Sequence, residues 1–163
     1  MKTKNHQSTS TKESRLAKAL ALASSHHGCS AAAIQRTEVN TWGAMDVFNK
    51  RIVIDILEES ECDVFRVHAP DWLRMPSAKA ATAIANRANM KLKVANVVVQ
   101  DNSLGIFAHE FIPKVGIPSE KNLKRLIDDV LIGIVLILKQ LEDIEKKSAL
   151  LEKLASCPEP ILN

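Results

Sequence analysis

Few residues of this chain have the type and spacing that bond-making chemistry requires. The densest cluster is His26-His27-Gly28-Cys29, two imidazoles and a thiol within four positions. Such a set can offer ligands to zinc or copper. Its plainer role is a polar helix end, where a positive charge near the last carbonyls suits the helix dipole. Because no second ligand cluster follows and Cys62 and Cys157 stand alone, no metal is expected. His68 and His109 fall on predicted strands, with Glu110 beside the second. Neighbouring strand residues face opposite sides, so His109 and Glu110 do not form an acid–base pair. Covalent catalysis needs a nucleophile, a base and an orienting group, yet neither a GxSxG turn nor a Cys-His signature is present. A P-loop and a GxGxxG fingerprint are missing too, which leaves no Gly-rich cradle for phosphate. The expectation is a non-enzymatic chain with no catalytic residue and no cofactor.

Two other groupings invite binding rather than catalysis. Asn86 and Asn89 lie three residues apart and project from one helix face. Their amides suit a peptide backbone or a small polar ligand, but they equally suit capping the helix and tying it to the strand that follows, which we favour. Lys91, Lys93, Lys121, Lys124 and Arg125 suggest a basic surface. Without interleaved aromatics, and with Asp128 and Asp129 one turn further on, that surface reads as a solvated face rather than a nucleic-acid site. Trp42 and Trp72 flank the first strand region and read as core anchors.

The whole chain frames these residues. Its 163 residues suit one domain, and 46% apolar with 25% charged residues is an ordinary globular composition. The net charge of +3 is concentrated at one end, since residues 1–18 hold Lys2, Lys4, Lys12, Arg15 and Lys18 against Glu13. The remainder is close to neutral and gives no footprint for nucleic acid. Residues 1–14 lack an apolar cluster and are expected to form a disordered basic tail, with one domain over 15–157 and a short tail at 158–163. The apolar piece that follows Arg15 is interrupted by Lys18 and makes a poor secretion signal. Three widely spaced cysteines without a CxxC pair point to reduced thiols and a cytoplasmic setting. The longest apolar run, 130–138, is closed by Asp128, Asp129 and Lys139, well short of the roughly 20 residues a membrane helix needs.

Periodicity supplies the elements. Leu16, Ala19, Leu20 and Ala23 predict an amphipathic helix over 13–25, whereas 31–40 is ambiguous. Ile52, Ile54 and Ile56 alternate with Val53, Asp55 and Leu57, which predicts a strand within 46–57. Phe65 and Val67 alternate with Arg66 and His68 over 63–69, so the two runs pair across a charged turn, and Pro70 and Pro76 break the sheet. Ser77 is the expected N-cap of an Ala-rich helix over 78–90. Strands follow over 93–100 and 104–111, separated by Asp101-Asn102-Ser103, and a last helix starts at Ser119 and runs to about 147 or beyond. The resulting class is α+β, an antiparallel sheet of about five strands packed by helices.

That last helix is apolar nearly all round. Leu123, Ile127, Val130, Leu131, Ile134, Leu138 and Leu141 mark one face, but Ile132, Val135, Leu136 and Ile137 widen it beyond what one sheet covers. Either the first helix or a second subunit must bury the rest. A homodimer through Val130, Ile134, Val135, Ile137, Leu138 and Leu141 is the expected arrangement, with a further protein partner of unspecified identity.

The order of elements resembles the YbjN family, described as bacterial sensory transduction regulators, whose fold is similar to that of type III secretion chaperones. The likeness rests on Ala85-Asn86-Arg87-Ala88-Asn89, similar to the family's Asn-x-x-Asn at the end of the middle helix. It continues through the strand pair 94–100 and 104–111 and through Val115-Gly116-Ile117 ahead of Leu123, and it spans about 45–145. Where the family often has an aromatic after the second Asn, this chain has Met90-Lys91-Leu92. The resemblance implies a regulator acting through a protein partner. Because secretion chaperones are usually acidic and this chain is not, a chaperone of apolar client segments is the second reading, and a small metal-dependent hydrolase is the rival from another class.

Overall fold

The computed structural model describes residues 5–26, 28–30, 33–37, 40–47 and 50–155, with side chains described over 12–149 of these. The elements follow in the order α1 (Asn5–Ala23), β1 (Ala33–Arg36), β2 (Thr41–Val47), β3 (Lys50–Glu58), β4 (Asp63–Arg74), α2 (Ala78–Asn89), β5 (Asn96–Gln100), β6 (Ser103–Ile112) and α3 (Glu120–Ala155). The fold is α+β, as the periodicity implies. Its sheet has six antiparallel strands in the order β1-β2-β3-β4-β6-β5, one more than expected. The extra strand is β1, drawn from the stretch whose pattern was ambiguous.

Period-two alternation decides which side of the sheet is buried. Ile52, Ile54 and Ile56 of β3, Phe65 and Val67 of β4, and Leu104, Ile106 and Ala108 of β6 are fully enclosed. All three helices cover this one side: α1 packs on β1–β3, α2 on β5 and β6, and α3 on β4–β6 between the other two. Two glycines allow the close approach. A Cβ on Gly133 of α3 would meet Ile106 Cγ2 at 2.9 Å, and one on Gly43 of β2 would meet Leu20 Cδ1 at 2.9 Å.

The boundaries depart from the sequence reading in three places. Helix α1 opens at Asn5 rather than near Glu13, so much of the stretch read as a disordered tail is helical, while 1–4 and 158–163 lie outside the described residues. The predicted strand within 46–57 is divided between β2 and β3. Pro70 does not end β4. The register to β6 jumps between Ala69 and Leu73, and this bulge accommodates the proline's missing N–H, with Asp71 at a φ of 43°.

A buried ion cluster fastens α1 to the sheet. Arg15 Nη2 donates to Asp63 Oδ2 at 2.7 Å and Arg15 Nε to the Gly116 carbonyl at 2.8 Å, while Lys114 Nζ reaches Asp63 Oδ1 at 3.0 Å. Arg15 is 5% and Asp63 1% exposed. Burial alone would raise the Asp63 carboxyl, but the bonds from Lys114 and Arg15 outweigh it and hold its pKa below the usual carboxylate range.

The apolar belt of α3 is largely covered within one chain. Val130, Ile134 and Ile137, expected at a subunit interface, lie in the core, because the sheet and both flanking helices enclose them. Leu141 is half-buried, and Val135 and Leu138 face outward with Ile132. Among the described residues no helix is long and apolar enough to cross a membrane.

Candidate protein-binding surfaces

The far side of the sheet carries no helix. Its side chains are the other half of each alternating strand, and the strand register arranges them in rows. One row runs Trp42–Asp55–Arg66–His109 and the next Ala44–Val53–His68–Phe107–Asn96. Arg66 grips Asp55 with two hydrogen bonds, Nε to Oδ1 at 2.8 Å and Nη2 to Oδ2 at 2.5 Å, and His68 Nε2 lies 3.7 Å from the same carboxylate. Burial would raise the Asp55 pKa, but the Arg66 bonds and the neighbouring His68 bring it down to about 2. Along β6, Phe107 stacks on His109 at 5.9 Å between ring centres, and His109 meets Phe111 edge-on at 5.7 Å. Phe111 is 66% exposed, and Val98 and Leu57 are also open to solvent. The result is a mixed face, with the Asp55–Arg66 ion pair near its middle and a second pair, Arg51 Nε to Asp46 Oδ1 at 2.8 Å, toward one end.

A second surface lies on the helix side. Between α2 and the second half of α3, Leu73, Met75, Ala83, Ile84, Leu141 and Ile144 line an open groove of about 510 Å³. Arg74 and Arg87 stand on its rim with Glu145. Small alanines on α2 keep the groove open, and Ile144 is exposed in it.

No family model matches the chain, and no curated protein matches it significantly.

The residues singled out by chemistry are dispersed. His26 Nε2 lies 2.8 Å from Asp128 Oδ1, and Cys29, nearby, has its thiol pushed up by burial and by Asp128, which opposes thiolate formation. His27 and Cys157 lie outside the described residues. Among the described residues no group of three or more His, Cys, Asp and Glu is placed to hold a metal ion. His109 and Glu110 do face opposite ways. The histidine joins the open face, and Glu110 Oε1 accepts from Asn122 Nδ2 of α3 at 2.8 Å. Asn89 ties α2 to β5: its Oδ1 accepts from the Val97 N–H at 2.7 Å and its Nδ2 donates to the Val97 carbonyl at 2.9 Å. Asn86 is exposed, and its carbonyl accepts the Met90 N–H that closes the helix. Of the basic residues, Lys124 pairs with Glu120 one turn away. Trp72 is half-buried against the core with Lys50 over its ring, whereas Trp42 belongs to the open face.

Sequence reasoning missed the Asp55–Arg66 pair. The alternation puts both on the outward side, but a turn read at 58–61 does not give the register, and only the closing pair Glu58–Asp63 makes them direct cross-strand neighbours.

Proposed function

We propose that this chain is a non-catalytic protein-interaction module, a YbjN-like regulator in the terms of the sequence resemblance, and that it captures a short apolar segment of a partner protein. The observation that carries this reading is the groove between α2 and α3, apolar on its floor and open to solvent, with Arg74 and Arg87 at its rim. Grooves between helices receive amphipathic helices through apolar anchors at i, i+3, i+4 and i+7. The two arginines select a segment whose apolar stripe is flanked by acidic residues, since a basic flank would meet like charge. The order of helices and strands supports a YbjN-like fold, and a secretion-chaperone-like role would use the same groove for a client. A metal-dependent hydrolase finds less support, because His26 is engaged by Asp128 and His68 and His109 sit among Arg66 and the phenylalanines.

The test uses a designed, fluorescently labelled amphipathic helical peptide with leucines at those positions and glutamates at its ends. Anisotropy is expected to show saturable binding, weakened about tenfold or more when the glutamates become lysines, a change of about 1.4 kcal/mol. Ala83→Arg, which fills the groove from an exposed position of α2, is expected to abolish binding while circular dichroism stays unchanged. Absence of binding, or binding indifferent to both changes, would overturn the reading.

A further inference from the structure

We propose that the open sheet face is where two copies of this chain meet, sheet against sheet, about a two-fold axis that runs along the strands midway between β3 and β4. The argument begins with the position of the charges. Asp55 of β3 and Arg66 of β4 are direct register partners at the centre of the face. Rotation about an axis between and parallel to these strands lays each β3 over the other copy's β4 without moving residues along the strand. Asp55 of one copy then lies over Arg66 of the other, and Arg66 over Asp55, so the two ion pairs join into a four-membered alternating cluster. Any face-to-face packing that placed Arg66 over Arg66 would instead meet like charges in a desolvated site.

The same operation brings the neighbouring rows together. In the row of the ion pair, Trp42 on β2 falls over His109 on β6. In the next row Ala44 falls over Phe107 and Val53 over His68, so a small residue faces a large one. On the other side of the ion pair Leu57 meets Val64. Phe107 and His109 of β6 thus cover Ala44 and Trp42 on β2 of the second copy. An isologous interface must be complementary to itself, and this face is so in charge at Asp55 and Arg66 and in volume at Ala44 and Phe107.

The four inner strands overlie one another. At about 4.8 Å per strand and about eight residues at about 3.3 Å they overlap over roughly 500 Å² in plan, the size of a modest interface below the roughly 800 Å² per partner of the standard class. Aligned sheets pack in this way across about 10 Å with their side chains interleaved. All three helices and the α2/α3 groove lie on the outer sides of such a pair and remain accessible.

The experiment is sedimentation velocity on the full chain over a wide concentration range, with Asp55→Arg, Arg66→Asp, the double swap Asp55→Arg/Arg66→Asp, and Leu57→Lys. Wild type is expected to be dimeric. Each single swap is expected to be monomeric, the equimolar mixture of the two single swaps to regain a dimer, and the double swap to dimerise alone. In the mixture, the copy with two arginines faces the copy with two aspartates, a rescue that only a contact between copies can produce. Leu57→Lys, at an exposed position near the axis, is expected to raise the dimer dissociation constant at least about a hundredfold, which keeps the test decisive if a single swap does not fold. A monomeric wild type, a mixture of folded single swaps that stays monomeric, or a dimer dissolved by Val135→Lys on α3 but not by Leu57→Lys would overturn the proposal.

Discussion

On β3, Ile52, Ile54 and Ile56 are sealed under the helices, whereas Val53, Asp55 and Leu57, each one position away, look out from the bare side of the same strand. The covered side is aliphatic and aromatic, with polar exceptions such as Asp63 and Glu110 held by specific bonds. The outer side mixes Val53 and Phe111 with Arg66, Asp55 and two histidines. Side chains of similar size and β-propensity thus serve different ends according to parity alone. Burial of each large apolar side chain on the inner side stabilises the fold by about 1.5–3 kcal/mol, whereas the exposed residues of the outer side hold little folding energy until something covers them. The inner face therefore determines whether the chain folds, and the outer face is left open to solvent.

The largest expected effect attacks the inner side. Arg15→Ala leaves Asp63 buried with only Lys114 for charge and removes the bond to Gly116, so urea unfolding should register a loss of about 3–5 kcal/mol. A loss below about 1 kcal/mol would mean that the cluster is no anchor.

Acid separates the two sides next. Asp55 has its folded pKa lowered from 3.8 to about 2, so it contributes stability that is complete above 3.8 and is lost as pH falls toward 2. Asp63 acts in the same direction from the inner side. The difference between wild type and Asp55→Asn isolates the outer contribution and should shrink by about 2 kcal/mol between pH 5 and pH 2, followed by chemical denaturation. Equal pH dependence in the two proteins would remove the Arg66 pair from the stability of the outer face.

The smallest effect sharpens the comparison on α3. Val135 is 60% exposed and Ile134 3% exposed, although the two are adjacent and equally apolar. Val135→Lys should change stability by less than about 0.5 kcal/mol. Ile134→Val, which leaves a gap in the core, should cost about 1 kcal/mol, and a greater loss from Val135→Lys than from Ile134→Val would contradict the packing of α3.

Much of this architecture is legible in the residues themselves. The alternation of Ile52, Ile54 and Ile56 against Val53, Asp55 and Leu57, the Ser77 cap and the turn at Asp101-Asn102 all place elements where they occur, because each is decided within a few residues. What was hidden depends on contacts distant in sequence. Pro70 marks a break unless β6 is present to accept a bulge. The belt of α3 suggests a missing subunit unless α1 and α2 are known to flank it. The outer face was missed for a related reason. Asp55, Arg66 and His109 stand 54 positions apart at most, and only the order β3-β4-β6 brings them into one row.

The pair of bonds between Asn89 and Val97 has a consequence for how such molecules behave in a crowd. β5 is the last strand of the sheet, so it is a place where another chain could add itself as a seventh strand. The Asn89 side chain occupies both the N–H and the carbonyl of Val97, as a strand in that position would. A single amide thus stands in for the missing neighbour and blocks sheet extension there. Without it, the N–H and carbonyl of Val97 would stand open to pairing by a strand of another chain.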